Sequence, residues 1–236
     1  RSGISGDMIP VFSATIDPIN PDTIWIGLQN LGGLYRSDDN GQTWQRKTRG
    51  FQETDGLTIR GITVDPNNSD IVFAAGEISS EAWAGRFIAG SGFGLVKGVI
   101  YKSIDRGENW RAVWRGDNLA RYILINPENP EIIYASTGIF DRDAANSNFE
   151  NNTPGGVGVL KSIDGGETWI QMNNGLRNLY VSSLDLHPYD PDILIAGTKN
   201  FTYEEGGGAY ITYDGAQSWE HLIGEEITAV EFVDEN

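Results

Sequence analysis

One phrase is written four times along this chain, and it constrains the fold more than any other feature. The copies are Ser37-Asp38-Asp39-Asn40-Gly41-Gln42-Thr43-Trp44, Ser103-Ile104-Asp105-Arg106-Gly107-Glu108-Asn109-Trp110, Ser162-Ile163-Asp164-Gly165-Gly166-Glu167-Thr168-Trp169 and Thr212-Tyr213-Asp214-Gly215-Ala216-Gln217-Ser218-Trp219. Self-similarity at a spacing of tens of residues marks an architecture of repeated supersecondary units. Each copy follows a short apolar stretch and ends in Trp, the pattern of a β-hairpin with its turn chemistry exposed. The Asp carboxylate and the leading hydroxyl suit turn amides, and the Gly suits a left-handed backbone. The Trp carries apolar surface into whatever packs below. One acid per identical turn is a folding device, so Asp39, Gly41, Trp44, Asp105, Gly107, Trp110, Asp164, Gly166, Trp169, Asp214 and Trp219 are assigned a structural role.

A second phrase precedes each of these turns: Ile16-Asp17-Pro18-Ile19-Asn20-Pro21-Asp22, Val64-Asp65-Pro66-Asn67-Asn68-Ser69-Asp70, Ile125-Asn126-Pro127-Glu128-Asn129-Pro130-Glu131 and Leu186-His187-Pro188-Tyr189-Asp190-Pro191-Asp192. Proline fixes its own backbone angle and removes a ladder donor, so these segments join two strands. His187 takes the slot filled elsewhere by Asp or Asn and is expected to serve the turn. The unit is therefore strand, Pro-rich turn, strand, variable loop, strand, Asp turn, strand. Four strands per unit make the blade of a β-propeller. First strands are expected near 11–17, 59–65, 121–126 and 181–187, with blades at about 11–50, 57–115, 119–175 and 179–223. A partial fifth occupies 227–236. The expectation is one all-β domain of four blades and the opening strand of another, part of a larger propeller.

The eight-residue phrase resembles the Asp-box, or BNR, repeat of sialidases, xyloglucanase-type glycoside hydrolases, sortilin-like receptors and photosystem assembly factors. That resemblance implies a β-propeller. It leaves activity open, because hydrolases, receptors and assembly factors share it. The texture of Asp65-Pro66-Asn67-Asn68 and Leu31-Gly32-Gly33-Leu34-Tyr35-Arg36 is similar to the xyloglucanase-type members. In them an Asp before the apolar-Gly-Gly segment serves as a catalytic carboxylate, and the matching residue here is Asn30, which exchanges no proton at neutral pH. A sialidase would need an arginine cluster for its substrate carboxylate. The loops offer Arg86 and Arg142, and Met8-Ile9-Pro10 lacks the arginine of the sialidase segment.

Composition narrows the partners. A formal net charge of −16 repels nucleic-acid phosphates and anionic membrane surfaces. No apolar run reaches the ~18 residues of a membrane span. The absence of cysteine excludes disulfides and thiolate metal sites. Three sequons, Asn67-Asn68-Ser69, Asn151-Asn152-Thr153 and Asn200-Phe201-Thr202, matter only in a eukaryotic secretory host. The acidic balance fits a secreted or extracytoplasmic protein.

The blades differ mainly between their second and third strands, over 29–33, 77–98, 138–156 and 199–207. Alternate turns of a propeller lie on opposite faces, which places these insertions opposite the Asp boxes. Variable loops on a rigid scaffold are where binding resides. The candidate ligand-binding residues are Trp83, Phe87, Phe93, Phe140, Phe149, Phe201, Tyr203, Glu77 and Glu81, a mixture of aromatic faces and carboxylates suited to carbohydrate or protein. The alternative role for such aromatics is to pin the loops as satellite cores. No cofactor is implied, and a calcium ion is the one metal considered. Its ligands would be Asp141, Asp143, Asn146, Asn148 and Glu150, oxygen donors at close spacing, though the segment lacks the central Gly and closing Glu of an EF-hand. The expected function is a non-catalytic recognition module that binds through the loop face. The alternative is a glycoside hydrolase acting on a β-glucan such as xyloglucan, with part of its site outside this chain.

Overall fold

A computed structural model describes residues 10–29, 33–53, 56–79, 94–203, 205–224 and 227–233. All regular structure in them is strand. Blade 1 comprises β1 (Val11–Ile16), β2 (Ile24–Leu28), β3 (Leu34–Ser37) and β4 (Gln45–Arg46). Blade 2 comprises β5 (Leu57–Asp65), β6 (Asn68–Ser79), β7 (Leu95–Ser103) and β8 (Arg111–Gly116). Blade 3 is built from β9 (Ala120–Ile125), β10 (Ile133–Thr137), β12 (Val159–Ser162) and β13 (Ile170–Gln171). Blade 4 is built from β14 (Val181–Leu186), β15 (Leu194–Thr198), β16 (Gly208–Thr212) and β17 (Glu220–Ile223). Each blade is an antiparallel meander in chain order, as the repeated turns require. The sheets and their succession are those of a β-propeller.

The innermost strands succeed one another, β1 against β5, β5 against β9, and β9 against β14. Residues 227–233 continue the series beside β14 without forming a ladder. Val230 donates its backbone N–H to Ser183 Oγ at 3.0 Å, and Phe232 donates to Asp185 at 2.7 Å. The apolar core is divided accordingly, one cluster between each pair of neighbouring blades. Trp25, Ile59, Val99 and Trp110 fill the first, Phe73, Ile100, Ile123 and Leu160 the second, and Tyr134, Leu184, Tyr210 and Trp219 the third.

The Pro-rich turns close on their leading polar residue. Asp17 accepts from the backbone N–H of Ile19 and Asn20, Asp65 from Asn67, and Asn126 from Glu128 and Asn129. His187 does the same through Nδ1, accepting from Tyr189 at 3.2 Å and Asp190 at 3.1 Å, so it is a turn residue. An Asx-type turn needs only a well-placed acceptor, and an imidazole nitrogen supplies one.

Candidate functional site

Two faces of the molecule carry polar side chains, and they are built by different rules. On the Asp-box face one hydrogen-bond set recurs. Ser37, Ser103, Ser162 and Thr212 each bond the box Asp through their hydroxyls, at 2.7 to 2.8 Å. Each Asp accepts a backbone N–H and a side-chain group from the residue four positions on: Thr43, Asn109, Thr168 or Ser218. Asn109 thus replaces the usual hydroxyl by donating its amide to Asp105. These bonds favour the charged carboxylate. They hold Asp39, with Thr43 foremost, and Asp214, with Ser218 foremost, down at about 2. Asp164 is lowered by Thr168 above all. At Asp105 burial opposes the shift, and the bonds from Asn109 and Ser103 outweigh it. Carboxylates so committed to their own turns are poor candidates for proton transfer.

Two successive residues in each box are left-handed: Asn40 and Gly41, Arg106 and Gly107, Gly165 and Gly166, Gly215 and Ala216. The first of each pair ties the box to its own blade and, in blades 2 to 4, to the preceding one. Its N–H donates to the last residue of its own Pro-rich turn, as Gly165 does to Glu131 O and Gly215 to Asp192 O, both at 2.9 Å. Its carbonyl accepts from a basic residue of the previous blade. Lys102 Nζ reaches Gly165 O and Lys161 Nζ reaches Gly215 O, each at 2.8 Å, and Arg36 bonds Arg106 O. Each basic head also lies over the aromatic side chain paired with it across the sheet: Arg36 over Trp25, Lys102 over Phe73, Lys161 over Tyr134. In blade 4 both places are apolar, Ile195 opposite Ile211. This latch between blades escaped sequence reasoning, although its signal was present as the basic residue just before the hydroxyl of the first three boxes.

The loop face is not repetitive. Glu77, expected in a loop, lies in β6 opposite Gly98 and is buried. Arg60 Nε bonds one carboxylate oxygen at 2.7 Å and Arg142 Nε the other at 3.1 Å. Arg142 also pairs with Asp141 at 3.0 Å. The insertion 138–156 contributes a two-residue strand, β11 (Asp143–Ala144), that joins β7 of blade 2 in parallel at Leu95 and Val96. On its other side Asn200 and Thr202 of blade 4 bond the Asp143 carboxylate, at 3.4 and 3.3 Å. Burial pushes the Asp143 carboxyl upward, and those two bonds only partly oppose it.

Aromatic residues run across the same seam. Phe140 meets Phe201 edge to face at 5.2 Å, while Phe149, Tyr203 and Tyr180 form a stacked series with 6.4 Å between centroids. Tyr203 is buried within that series, so it pins the loop. Phe149 is 37% exposed and Phe201 47%, although Lys199 Nζ lies over the Phe201 ring at 4.3 Å from its centroid. Trp83, Phe87, Phe93, Glu81, Arg86 and Asn30 lie outside the described residues.

The residues considered for calcium serve separate partners. Asn146 bonds both the N–H and the carbonyl of Gly156, Asn148 accepts from Asn151, and Asp143 faces blade 4. Among the described residues no three His, Cys, Asp or Glu side chains group as a metal site. Among the same residues no helix is long and apolar enough to cross a membrane.

Comparison with known proteins agrees with this geometry. The profile of the BNR/Asp-box repeat matches residues 35–46, the first of the four boxes. A xyloglucanase from Paenibacillus is 25% identical over 214 residues, covering 82% of this chain and 18% of the relative. The GH74 xyloglucanase structure from Xanthomonas campestris superposes with a TM-score of 0.64 at 17% identity, over 96% of this chain and 32% of that one. The YCF48 structure from Cyanidioschyzon merolae gives 0.57 at 13% identity, over 99% of this chain and 63% of that one. The chain is thus an Asp-box β-propeller, similar in fold to both. It spans only 10% to 24% of the length of the curated xyloglucanases it matches.

Proposed function

We propose that this chain supplies a sugar-binding loop face to a glycoside hydrolase acting on a β-glucan such as xyloglucan. The observation that carries the proposal is the sequence similarity to a xyloglucanase across 82% of the chain. It favours the hydrolase reading over a free-standing recognition module. The binding role draws support from the partly exposed rings of Phe149 and Phe201, since sugar rings stack on exposed aromatic surface. These lie beside a scaffold stiffened by Glu77, Arg142 and Asp143. The proposal assigns no complete catalytic pair to this chain. Glycoside hydrolysis needs two carboxyl groups placed about 5–10 Å apart across the bond. Glu77 and Asp141 are held by arginines, and the resemblance to xyloglucanase-type members implies that Asn30 stands where they carry a catalytic Asp. A polymer of this kind does not cross a membrane, so the reading carries with it a secreted or extracytoplasmic protein.

The test is retention on immobilised xyloglucan together with release of reducing ends from it. Retention on xyloglucan above that on an unsubstituted β-glucan is the expected result. Reducing-end release would extend the proposal to catalysis by the chain itself. Retention on neither polymer would overturn it.

A further inference from the structure

The inner strands of blades 1, 2 and 3 border a half-open cavity of about 290 Å³ toward the loop face, lined by Phe12, Ser13, Arg60, Thr63, Arg121 and Tyr122. In a chain of net charge −16 it is notable for holding two guanidinium groups. They are not equivalent. Arg60 lies over the Phe12 ring and is neutralised by Glu77. Arg121 lies over the Tyr122 ring, 4.8 Å from guanidinium carbon to centroid, and spends Nη1 on the carbonyl of Ser182 at 2.9 Å. Among the described residues no carboxylate stands within ion-pairing distance of it. Asp141 is close enough to be felt electrostatically, and its Oδ2 is engaged by Arg142 while its Oδ1 is buried without a hydrogen-bond partner. Burial presses the Arg121 pKa downward, with Arg60 adding to the pressure. A guanidinium does not release its proton in a protein, so the cost of enclosing this charge remains until an anion meets it.

We propose that this cavity binds a small organic carboxylate, gripped by the free edge of the Arg121 guanidinium. The planar fork of Arg matches a carboxylate through two parallel N–H donors. One surplus positive charge matches a monoanion, whereas a phosphate dianion would bring a second negative charge with no further cation to meet it. The volume suits a single acid of sugar size or smaller and not a polymer chain. Phe12 and Tyr122 supply apolar walls, while Ser13 and Thr63 are committed to the carbonyls of Ile59 and Ile123. The site stands whether or not the loop face binds β-glucan.

Calorimetric titration with glucuronate, acetate, inorganic phosphate and glucose tests the proposal. The expected result is saturable binding of glucuronate, acetate or both, none of glucose, and weaker binding of phosphate. Glucuronate tighter than acetate identifies a sugar acid, and equal affinities identify the carboxylate alone as the recognised group. Arg121→Gln is expected to weaken the carboxylate about tenfold or more, the scale of a charged hydrogen bond. Arg121→Lys keeps the charge, loses the fork and is expected to bind at an intermediate affinity with the wild-type melting temperature. It decides the matter even if the Gln variant unfolds. Failure of both carboxylates to bind, phosphate binding more tightly, glucose binding equally well, or affinity unchanged in Arg121→Lys would overturn the assignment.

Discussion

The Asp-box face and the loop face are made by the same strands, yet their polar side chains follow opposite logics. The box face solves one local problem four times. Each carboxylate is satisfied within eight residues, and from the first three blades a single basic side chain carries the structure on to the next. The loop face solves one long-range problem once, with Glu77 drawing Arg60 and Arg142 together and Asp143 joining blades 2 and 4. Replication gives a rigid frame, whereas the individual solutions make the surface to which the proposed binding is assigned. The two faces also titrate with opposite sign. Box carboxyls are lowered by hydrogen bonds, and Asp143 is raised by burial.

The largest expected effects come from removing the anchor of either face. Trp25→Ala empties a fully buried site between blades 1 and 2, against Trp110, and should cost about 3–5 kcal/mol in chemical denaturation. Glu77→Ala leaves two arginines without their shared carboxylate and should cost a similar ~3–5 kcal/mol, read the same way. A near-neutral result for Glu77 would mean the loop network is decorative. Lys102→Met keeps the apolar stem but breaks one latch, with an expected loss of about 1.5–3 kcal/mol. Arg36 and Lys161 would then offer independent repeats of the same experiment.

The smaller effects sharpen the contrast. A box carboxyl with a lowered pKa lends stability that is complete above its ordinary value of 3.8 and disappears as pH falls through about 2 at Asp39 and Asp214. Asp143 runs the other way, since its raised pKa makes the folded state lose stability as pH climbs through the carboxylate range. Asp143→Asn should therefore raise the melting temperature at pH 7 and leave it nearly unchanged at pH 3. The least effect is expected from Ala216→Gly. Ala216 sits at φ 69°, so glycine relieves backbone strain while losing a buried methyl, and a net gain below ~1 kcal/mol is expected. The reverse change at Gly166, also left-handed, would drive a Cβ to 2.7 Å from the Phe73 ring and should destabilise.

These contrasts explain what the sequence revealed. The four boxes, the Pro-rich turns and the inner strands were legible because each is a contact among near neighbours. Inner strands expected at 11–17, 59–65, 121–126 and 181–187 appear as β1, β5, β9 and β14 within about two residues at each end. The role of Glu77 was not legible. The sequence pattern puts it in a loop, but β6 runs on to Ser79, and its partners lie 17 and 65 positions away. Asp143 and Asn146 looked alike as oxygen donors in one short segment. The fold turns one to blade 4 and the other to Gly156, which spacing alone does not announce. Arg60 and Arg121 were passed over because they occupy strands, where charged residues read as surface.

The central claim is that binding belongs to the loop face and not to the box face. Electrophoresis through gels containing xyloglucan tests it directly, comparing the wild type with Phe201→Ala, Phe149→Ala and the box-face variant Ile163→Ser. Ile163 is 67% exposed, so its replacement leaves the fold alone. The account predicts retardation of the wild type and of Ile163→Ser, and faster migration of the two Phe variants. Retardation lost in Ile163→Ser but kept in both Phe variants would contradict it.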